Sequence, residues 1–168
     1  MNEASATDAF RAELAALLPR LRRFGRVITR NVADADDLVQ VAVEKALTHA
    51  GQWRPGSRMD SWMFGIMKNA WIDEVRARRR RERVHAPQEA GATAGDSSAA
   101  ARDIALSIEA AMEQLPEEQR MAIALVLVEG LSYKDAAAAL DIPIGTLTSR
   151  LARGRETLQA LLGDGGAA

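Results

Sequence analysis

The sequence predicts an all-α fold: two small helical domains joined by a flexible linker. Apolar residues recur at three- and four-residue steps through most of the chain. No segment alternates apolar and polar residues between hairpin turns, as strands would. The stretch Val84 to Ala101 holds little that packs and is rich in alanine, glycine and serine, which is typical of a linker.

Three helices are predicted before the linker: Phe10–Ile28, a second helix beginning after Asn31, and Trp62–Arg83. Asp34 is expected to cap the second helix, because a short carboxylate accepts a hydrogen bond from an unpaired N–H of the first turn. Gly51 to Ser61, with Pro55-Gly56 at its centre, is expected to form a loop before the third helix.

Four helices are predicted after the linker: Asp103–Leu115, Pro116–Gly130, Tyr133–Leu140 and Thr146–Leu162. Gly130 is well placed to stop the second of these. Ser132, with Asp135 three residues on, forms a pattern similar to a capping box. Two helices joined by the short turn at Asp141 to Gly145 are typical of a helix-turn-helix.

Composition excludes several kinds of site. The chain has no cysteine, which excludes disulfides and thiol chemistry, and His49 and His85 show no metal-ligand spacing. We therefore expect no metal and no cofactor. Apolar runs fall far short of the roughly 18 residues of a membrane span, and the N-terminal residues lack the pattern of a signal peptide. These features predict a soluble, cytoplasmic protein without membrane insertion.

The formal net charge of −1 conceals an asymmetry. Residues 1–83 contain 16 Lys/Arg and 11 Asp/Glu, whereas residues 84–168 contain 6 and 12. Six arginines lie between Arg76 and Arg83. Such a run is either a solvated helix end or a contact for a polyanion, and mutual repulsion favours the polyanion.

The last predicted helix carries small polar and basic residues on one face. Thr148, Ser149, Ala152 and Arg153 lie near that face, with Arg150 and Arg155 at its flanks. Leu147, Leu151 and Leu158 lie on the opposite side. Arginine forks onto guanine in a major groove, and hydroxyls contact base edges or phosphates. This pattern favours duplex DNA over the alternative of a helical hairpin with a solvated basic face.

Aromatic residues cluster just before the arginine run: Trp53, Trp62, Phe64 and Trp71. Rings beside a cationic track hold single-stranded nucleic acid. Phe64 and Trp71 have helical spacing and are predicted to be core, whereas Trp62 is the candidate for a base contact.

The acidic cluster at Asp34, Asp36, Asp37 and Glu44 has two interpretations. Carboxylates close together can hold metal ions for phosphodiester cleavage, but no second carboxylate group or general base completes such a site. An acidic helix start flanked by Leu38 and Val39 instead favours a protein-docking surface.

Several segments carry recognisable motifs: Asp34–Gln40 (DADDLVQ), Asp60–Arg76, Leu115–Arg120, Gly130–Ala137 and Pro143–Leu151. In this order they resemble the motifs of bacterial RNA polymerase sigma factors of the extracytoplasmic-function (ECF) class. The resemblance implies a sigma region 2 domain at 8–83, a linker at 84–101 and a sigma region 4 domain at 102–163. It implies a non-enzymatic promoter-specificity subunit, with core RNA polymerase and double- and single-stranded promoter DNA as partners.

The resemblance also implies roles for individual residues. Core polymerase would be bound by Asp34, Asp36, Asp37, Leu38, Gln40 and Glu44. The minus-ten element would be recognised by Arg54, Ser57, Arg58, Met59, Asp60, Ser61, Trp62, Asn69, Arg76, Arg79 and Arg80. The minus-thirty-five element would be read by Ser132, Tyr133, Thr146, Thr148, Ser149, Arg150, Ala152, Arg153 and Arg155. Gly154 departs from the alanine common in the family, and glycine costs a helix up to about 1 kcal/mol.

Regulation is expected to come from outside the chain. There is no cysteine for redox sensing, no ligand motif and no inhibitory extension before Phe10. We therefore expect a monomer that a separate anti-sigma factor holds inactive, in a stress or envelope response. Two alternatives remain: a stand-alone DNA-binding regulator, which leaves the acidic helix and aromatic loop unexplained, and a metal-dependent nuclease.

Overall fold

A computed structural model describes residues 3–84 and 99–163, and within those ranges it contains helices and no strand. The α-helices are α1 (Glu3–Thr29), α2 (Val32–Thr48), α3 (Met59–Glu82), α4 (Ala99–Gln114), α5 (Glu117–Ile123), α6 (Tyr133–Leu140) and α7 (Ile144–Gly163). A 3-10 turn (Ala50–Gln52) follows α2, and a π-helical segment (Ala124–Val128) extends α5. The predicted all-α fold is confirmed.

The chain forms two compact units, the first built on α1, α2 and α3 and the second on α4, α5, most of α6, and α7. Most of the predicted linker and His85 lie outside the described residues. Helix α4 begins at Ala99, so the last residues predicted to be linker are helical.

The first unit packs around aromatic and methionine side chains. Phe24 of α1 and Phe64 of α3 meet edge-to-face with ring centroids 5.0 Å apart, and both are fully buried. Met63 and Met67 fill the remaining space beside them with no exposed surface. Phe64 and Trp71 are core residues, as the helical spacing predicts.

The prediction that Asp34 caps α2 is wrong. The N-cap is Asn31, whose side-chain oxygen accepts a hydrogen bond from the Asp34 backbone N–H at 2.9 Å. Arg30 takes a left-handed φ of 57° and reverses the chain between α1 and α2. One residue can therefore make the turn, and the cap falls three residues earlier than expected.

In the second unit, Ser132 and Asp135 form the predicted cap: the Asp135 N–H donates to the Ser132 hydroxyl at 3.1 Å, and that hydroxyl donates to the Asp135 carboxylate at 2.8 Å. Gly130 has a φ of 72° and ends the preceding helix. Gly154 lets α7 approach α5, because a Cβ there would lie 3.0 Å from Ile123 Cγ1.

Candidate nucleic-acid interface

The loop between α2 and α3 forms a tight turn at Arg54 to Ser57. Pro55 and Gly56 occupy its centre, with Gly56 at a φ of 87°, the conformation that a type II turn requires at this position. The Ser57 hydroxyl and N–H both donate to the Arg54 carbonyl, at 2.6 and 3.0 Å. Arg54, Ser57 and Arg58 are exposed, so the turn presents polar side chains to solvent.

Both ends of this loop pack on one ring of α1. Phe10 is 3% exposed and lies 5.6 Å from Trp53 and 6.2 Å from Trp62, centroid to centroid. Trp62 is half-buried, so part of its surface stays accessible beside the loop. Sequence reasoning found both tryptophans but gave no role to Phe10 beyond the core of the first helix.

A carboxylate at the start of α3 ties the loop to α1. Asp60 accepts hydrogen bonds from Arg58 Nε (3.1 Å) and Arg58 Nη2 (2.8 Å), from Arg20 Nη1 (3.1 Å) and from the Ser61 N–H (2.8 Å). Burial alone would raise the pKa of Asp60, but these donors outweigh burial and lower it. Asp60 is therefore an ionised carboxylate that holds two arginines.

Two of the residues predicted for the minus-ten element are buried. Helix α3 begins at Met59, three residues before the predicted start, and this side chain is 1% exposed in the core. Asp60 is 8% exposed, and its carboxylate is bound to Arg20 and Arg58. Both residues therefore support the loop, and both side chains are buried. Ser61 is half-buried in the first turn of α3.

The arginine run divides into two groups. Arg78 turns to α2 and donates to both oxygens of Asp34, at 2.7 and 3.0 Å, and to Glu74 at 2.8 Å, with its guanidinium 5.6 Å from the Trp71 ring centroid. Arg81 also donates to Glu74, at 3.1 Å. Arg76, Arg79 and Arg80 are exposed, and so is Asn69, which lies about two turns earlier on nearly the same face of α3.

Helix α2 presents an acidic and amide face. Asp36, Asp37, Gln40 and Glu44 are exposed on it. Three of them, Asp36, Gln40 and Glu44, line a groove together with Arg22 and Arg26 of α1, whereas Asp37 lines a second groove beside Arg78 of α3. Sequence reasoning missed the two α1 arginines, although their spacing of four places them on one helix face.

Two residues predicted to bind core polymerase, Leu38 and Asp34, are not among the exposed residues of this face. Leu38 is 5% exposed and packs in the core, because it lies three residues after the buried Ala35 and therefore on the same side of the helix. Asp34 is half-buried and bound to Arg78, whose hydrogen bond lowers the pKa of Asp34 against the opposing effect of burial. Among the described residues, no group of three or more His, Asp or Glu side chains is arranged to hold a metal ion.

The exposed face of α7 matches the predicted one. Thr148, Ser149, Ala152, Arg153 and Arg155 are exposed, while Leu147, Leu151 and Gly154 are buried on the other side. The Thr148 and Ser149 hydroxyls donate to the Ile144 and Gly145 carbonyls, so each hydroxyl proton is already used and the oxygen can act toward a partner only as an acceptor.

The residues around this face differ in availability. Arg150 is partly buried and lies 3.5 Å from Glu118 of α5. The Ser132 hydroxyl caps α6 by accepting a hydrogen bond from the Asp135 N–H. Tyr133 is 39% exposed at the start of α6, and Thr146 is half-buried in the first turn of α7.

This geometry defines a helical DNA-binding protein with a helix-turn-helix in its second unit. The family model of Sigma-70 region 2 matches residues 14–81, and that of Sigma-70 region 4 matches residues 105–158. The chain belongs to the ECF family of RNA polymerase sigma factors. It is a promoter-specificity factor for transcription initiation, and core RNA polymerase and promoter DNA are its partners.

Individual relatives agree with this assignment. The chain is 36% identical over 156 residues to the ECF RNA polymerase sigma factor EcfG of Rhodopseudomonas palustris, covering 93% of this chain and 86% of that protein. It is 37% identical over 144 residues to SigM of Mycobacterium tuberculosis, covering 86% and 72%.

Two solved structures are also similar. The sigma factor RpoE of Bartonella quintana, crystallised with the anti-sigma factor NepR, has a TM-score of 0.78 and 33% identity over 92% of this chain and 97% of that one. CnrH in complex with the cytosolic domain of CnrY has a TM-score of 0.70 at 24% identity over 96% and 94%, which shows a shared fold. No helix in the described ranges combines the length and apolar character needed to cross a membrane.

Proposed function

We propose that three separate surfaces divide the work of this sigma factor. The face of α2 binds core polymerase through Asp36, Asp37, Gln40 and Glu44. The loop between α2 and α3 binds the minus-ten element as a single strand. Helix α3 contributes Trp62, Asn69 and the exposed arginines Arg76, Arg79 and Arg80 to the same surface. The outward face of α7 reads the minus-thirty-five element in duplex DNA.

One observation carries this proposal: the first unit exposes an acidic face on α2 and a separate arginine track on α3. A polyanion is attracted to the second and repelled by the first. The two surfaces therefore suit two different partners at once, a protein and a nucleic acid, which a stand-alone DNA-binding regulator does not require.

The mechanism uses binding energy and no chemistry of its own. Stacking of one unpaired base on an aromatic ring contributes about 1–3 kcal/mol, against a cost of a few kcal/mol for extruding that base from duplex DNA. A preformed loop beside Trp62 offsets that cost. We propose that the chain is not an enzyme, needs no cofactor and acts in the cytoplasm, where polymerase and promoters are.

We also propose control by an anti-sigma factor. RpoE was solved in complex with the anti-sigma factor NepR, and this chain is 33% identical to RpoE and shares its fold. A partner that covers the face of α2 or the outward face of α7 blocks polymerase or promoter binding. A pull-down from the native host followed by competition with core enzyme tests this: the partner is expected to be displaced by core enzyme, and simultaneous binding of both contradicts the proposal.

The polymerase surface is tested by charge reversal. The variant Asp36→Arg/Asp37→Arg is expected to lose at least tenfold in affinity for core polymerase in gel filtration and titration, because two exposed carboxylates become cations. Asp8→Arg/Glu13→Arg, an equal change at exposed positions of α1, is the control and is expected to bind normally. Stoichiometric binding by the first variant refutes the assignment.

A further inference from the structure

We propose that Phe10 of α1 is a positioning residue for minus-ten recognition, because it fixes both ends of the loop that reads the unpaired strand. The inference rests on the proposed function of that loop. Phe10 itself is 3% exposed, so its ring has almost no accessible surface with which to touch a nucleic acid. It acts through the two tryptophans that flank the loop.

The two ends of the loop meet on a single ring. Trp53 lies at the N-terminal end of the loop and packs on Phe10 in a tilted arrangement, with ring planes at 60°. Trp62 follows the C-terminal end of the loop, in the first turn of α3, and packs edge-on against the same Phe10 ring, with ring planes at 65°. Tilted and edge-to-face pairs are the favoured geometries of aromatic rings, so one side chain sets the separation and orientation of both ends.

A second contact with α1 fixes the same segment. Arg20 of α1 donates to Asp60, and Asp60 holds Arg58 at the end of the loop through two hydrogen bonds. Phe10 and Arg20 are ten residues apart, about 15 Å along the helix axis. The loop is therefore held against α1 at two well-separated points, and it cannot pivot about either one.

Fixing the loop matters because recognition of an extruded base depends on geometry set in advance. A loop free to move must lose conformational entropy when it binds the strand, which weakens binding even where each contact survives. Loss of the shared ring is therefore expected to weaken capture of the unpaired strand. Binding to polymerase and to the minus-thirty-five duplex uses other surfaces and is expected to stay unchanged.

The test compares Phe10→Leu with Phe24→Leu in the full chain with core polymerase. Both changes replace a buried ring in the same unit by an aliphatic side chain, but Phe24 pairs with Phe64, and in the described part of the chain no ring pair joins Phe24 to Trp53 or Trp62. Phe10→Leu is expected to reduce promoter opening, read by permanganate footprinting, about tenfold, since it removes two aromatic pairs. Phe24→Leu is expected to open promoters like the wild type at a temperature where both variants are folded.

A direct readout of the loop complements the footprint. The chain has three tryptophans, and two of them contact Phe10. Acrylamide quenching of tryptophan fluorescence is therefore expected to rise in Phe10→Leu and to stay near the wild-type value in Phe24→Leu. Equal quenching in the two variants, or equal loss of promoter opening, overturns the positioning role.

A loop variant separates failure of this inference from failure of the proposed function. Arg54→Ala/Ser57→Ala removes exposed side chains of the turn and leaves Phe10 in place. If this variant loses promoter opening while Phe10→Leu retains it, the loop reads the strand and Phe10 does not position it. If the loop variant itself opens promoters normally, the minus-ten role of the loop is wrong, and the inference about Phe10 is wrong with it.

Discussion

Arg78 belongs by sequence to a run of arginines, but its guanidinium reaches across to a carboxylate of α2. Its guanidinium binds Asp34 and Glu74 and lies over Trp71. This contact joins α2 to α3 and uses one of the carboxylates that the sequence assigns to polymerase. Neighbouring charges of the same type thus have different roles: Arg78 joins two helices, and the exposed arginines are the ones that we propose bind nucleic acid.

Loss of this ion pair has a predictable pH dependence. Because hydrogen bonding to Arg78 lowers the pKa of Asp34 below 3.8, the stabilisation is complete above that value and is lost as the pH falls through the lowered pKa. Asp34→Asn is expected to reduce the free energy of unfolding by about 1 kcal/mol at pH 7. Denaturant unfolding at several pH values measures this, and the difference from wild type should vanish in strong acid. Asp36→Asn, at an exposed position, is the control.

Gly154 is a second residue whose role is set by packing. Replacement by alanine adds helix propensity of up to about 1 kcal/mol but places a Cβ 3.0 Å from Ile123 Cγ1 and 3.2 Å from Cδ1. Overpacking of this kind costs about 1–3 kcal/mol, so Gly154→Ala is expected to destabilise the protein. In an Ile123→Ala background the same change is expected to be neutral or stabilising. Destabilisation of equal size in both backgrounds contradicts this account of the glycine.

At the scale of the element, the order and type of the helices could be predicted because apolar spacing and capping residues are local signals. Helix α6 has its predicted bounds, Tyr133–Leu140. Starts that depend on tertiary contacts were predicted less well: α3 gains its first turn through burial of Met59. The π-helical segment at Ala124–Val128 has no signal in the sequence.

The candidate site, too, combines features that local sequence signals predict with features that depend on tertiary contacts. Spacing along a helix predicts which side faces out, and for α7 this gave the exposed Thr148, Ser149, Ala152 and Arg153. Contacts between residues far apart in sequence were not predictable: Asp34 with Arg78, Arg20 with Asp60, and Phe10 with both tryptophans. These long-range contacts decide which charged residues remain available to a partner.

Helix α7 supplies a test of the exposed face that we propose contacts duplex DNA. Arg153→Ala is expected to weaken binding to minus-thirty-five duplex DNA by about 1–3 kcal/mol and to relax the preference at one base pair. Arg150→Ala is the comparison, because Arg150 is partly buried beside Glu118 and is expected to affect binding less. Fluorescence anisotropy with matched and mismatched duplexes measures both effects. A larger effect from Arg150 than from Arg153 contradicts the assignment of this face.

At the scale of the whole molecule, a net charge of −1 hides a cationic surface on the first unit. Each neutralised phosphate of a single strand contributes about −0.7 to the slope of log affinity against log salt. Replacing Arg76, Arg79 and Arg80 with glutamine is therefore expected to reduce that slope by about 2. The measurement is single-strand binding by the full chain at several salt concentrations, with Arg78→Gln as the control for a paired arginine. An unchanged slope in the triple variant shows that these arginines do not contact phosphates.

Promoter-directed initiation is tested most directly by run-off transcription with purified core polymerase on a promoter library. The full chain is expected to produce transcripts from a discrete set of promoters that core enzyme alone does not use. Asp36→Arg/Asp37→Arg is expected to abolish them, and Arg153→Ala to alter which promoters are chosen. A set of transcripts that is the same with and without the chain contradicts the account.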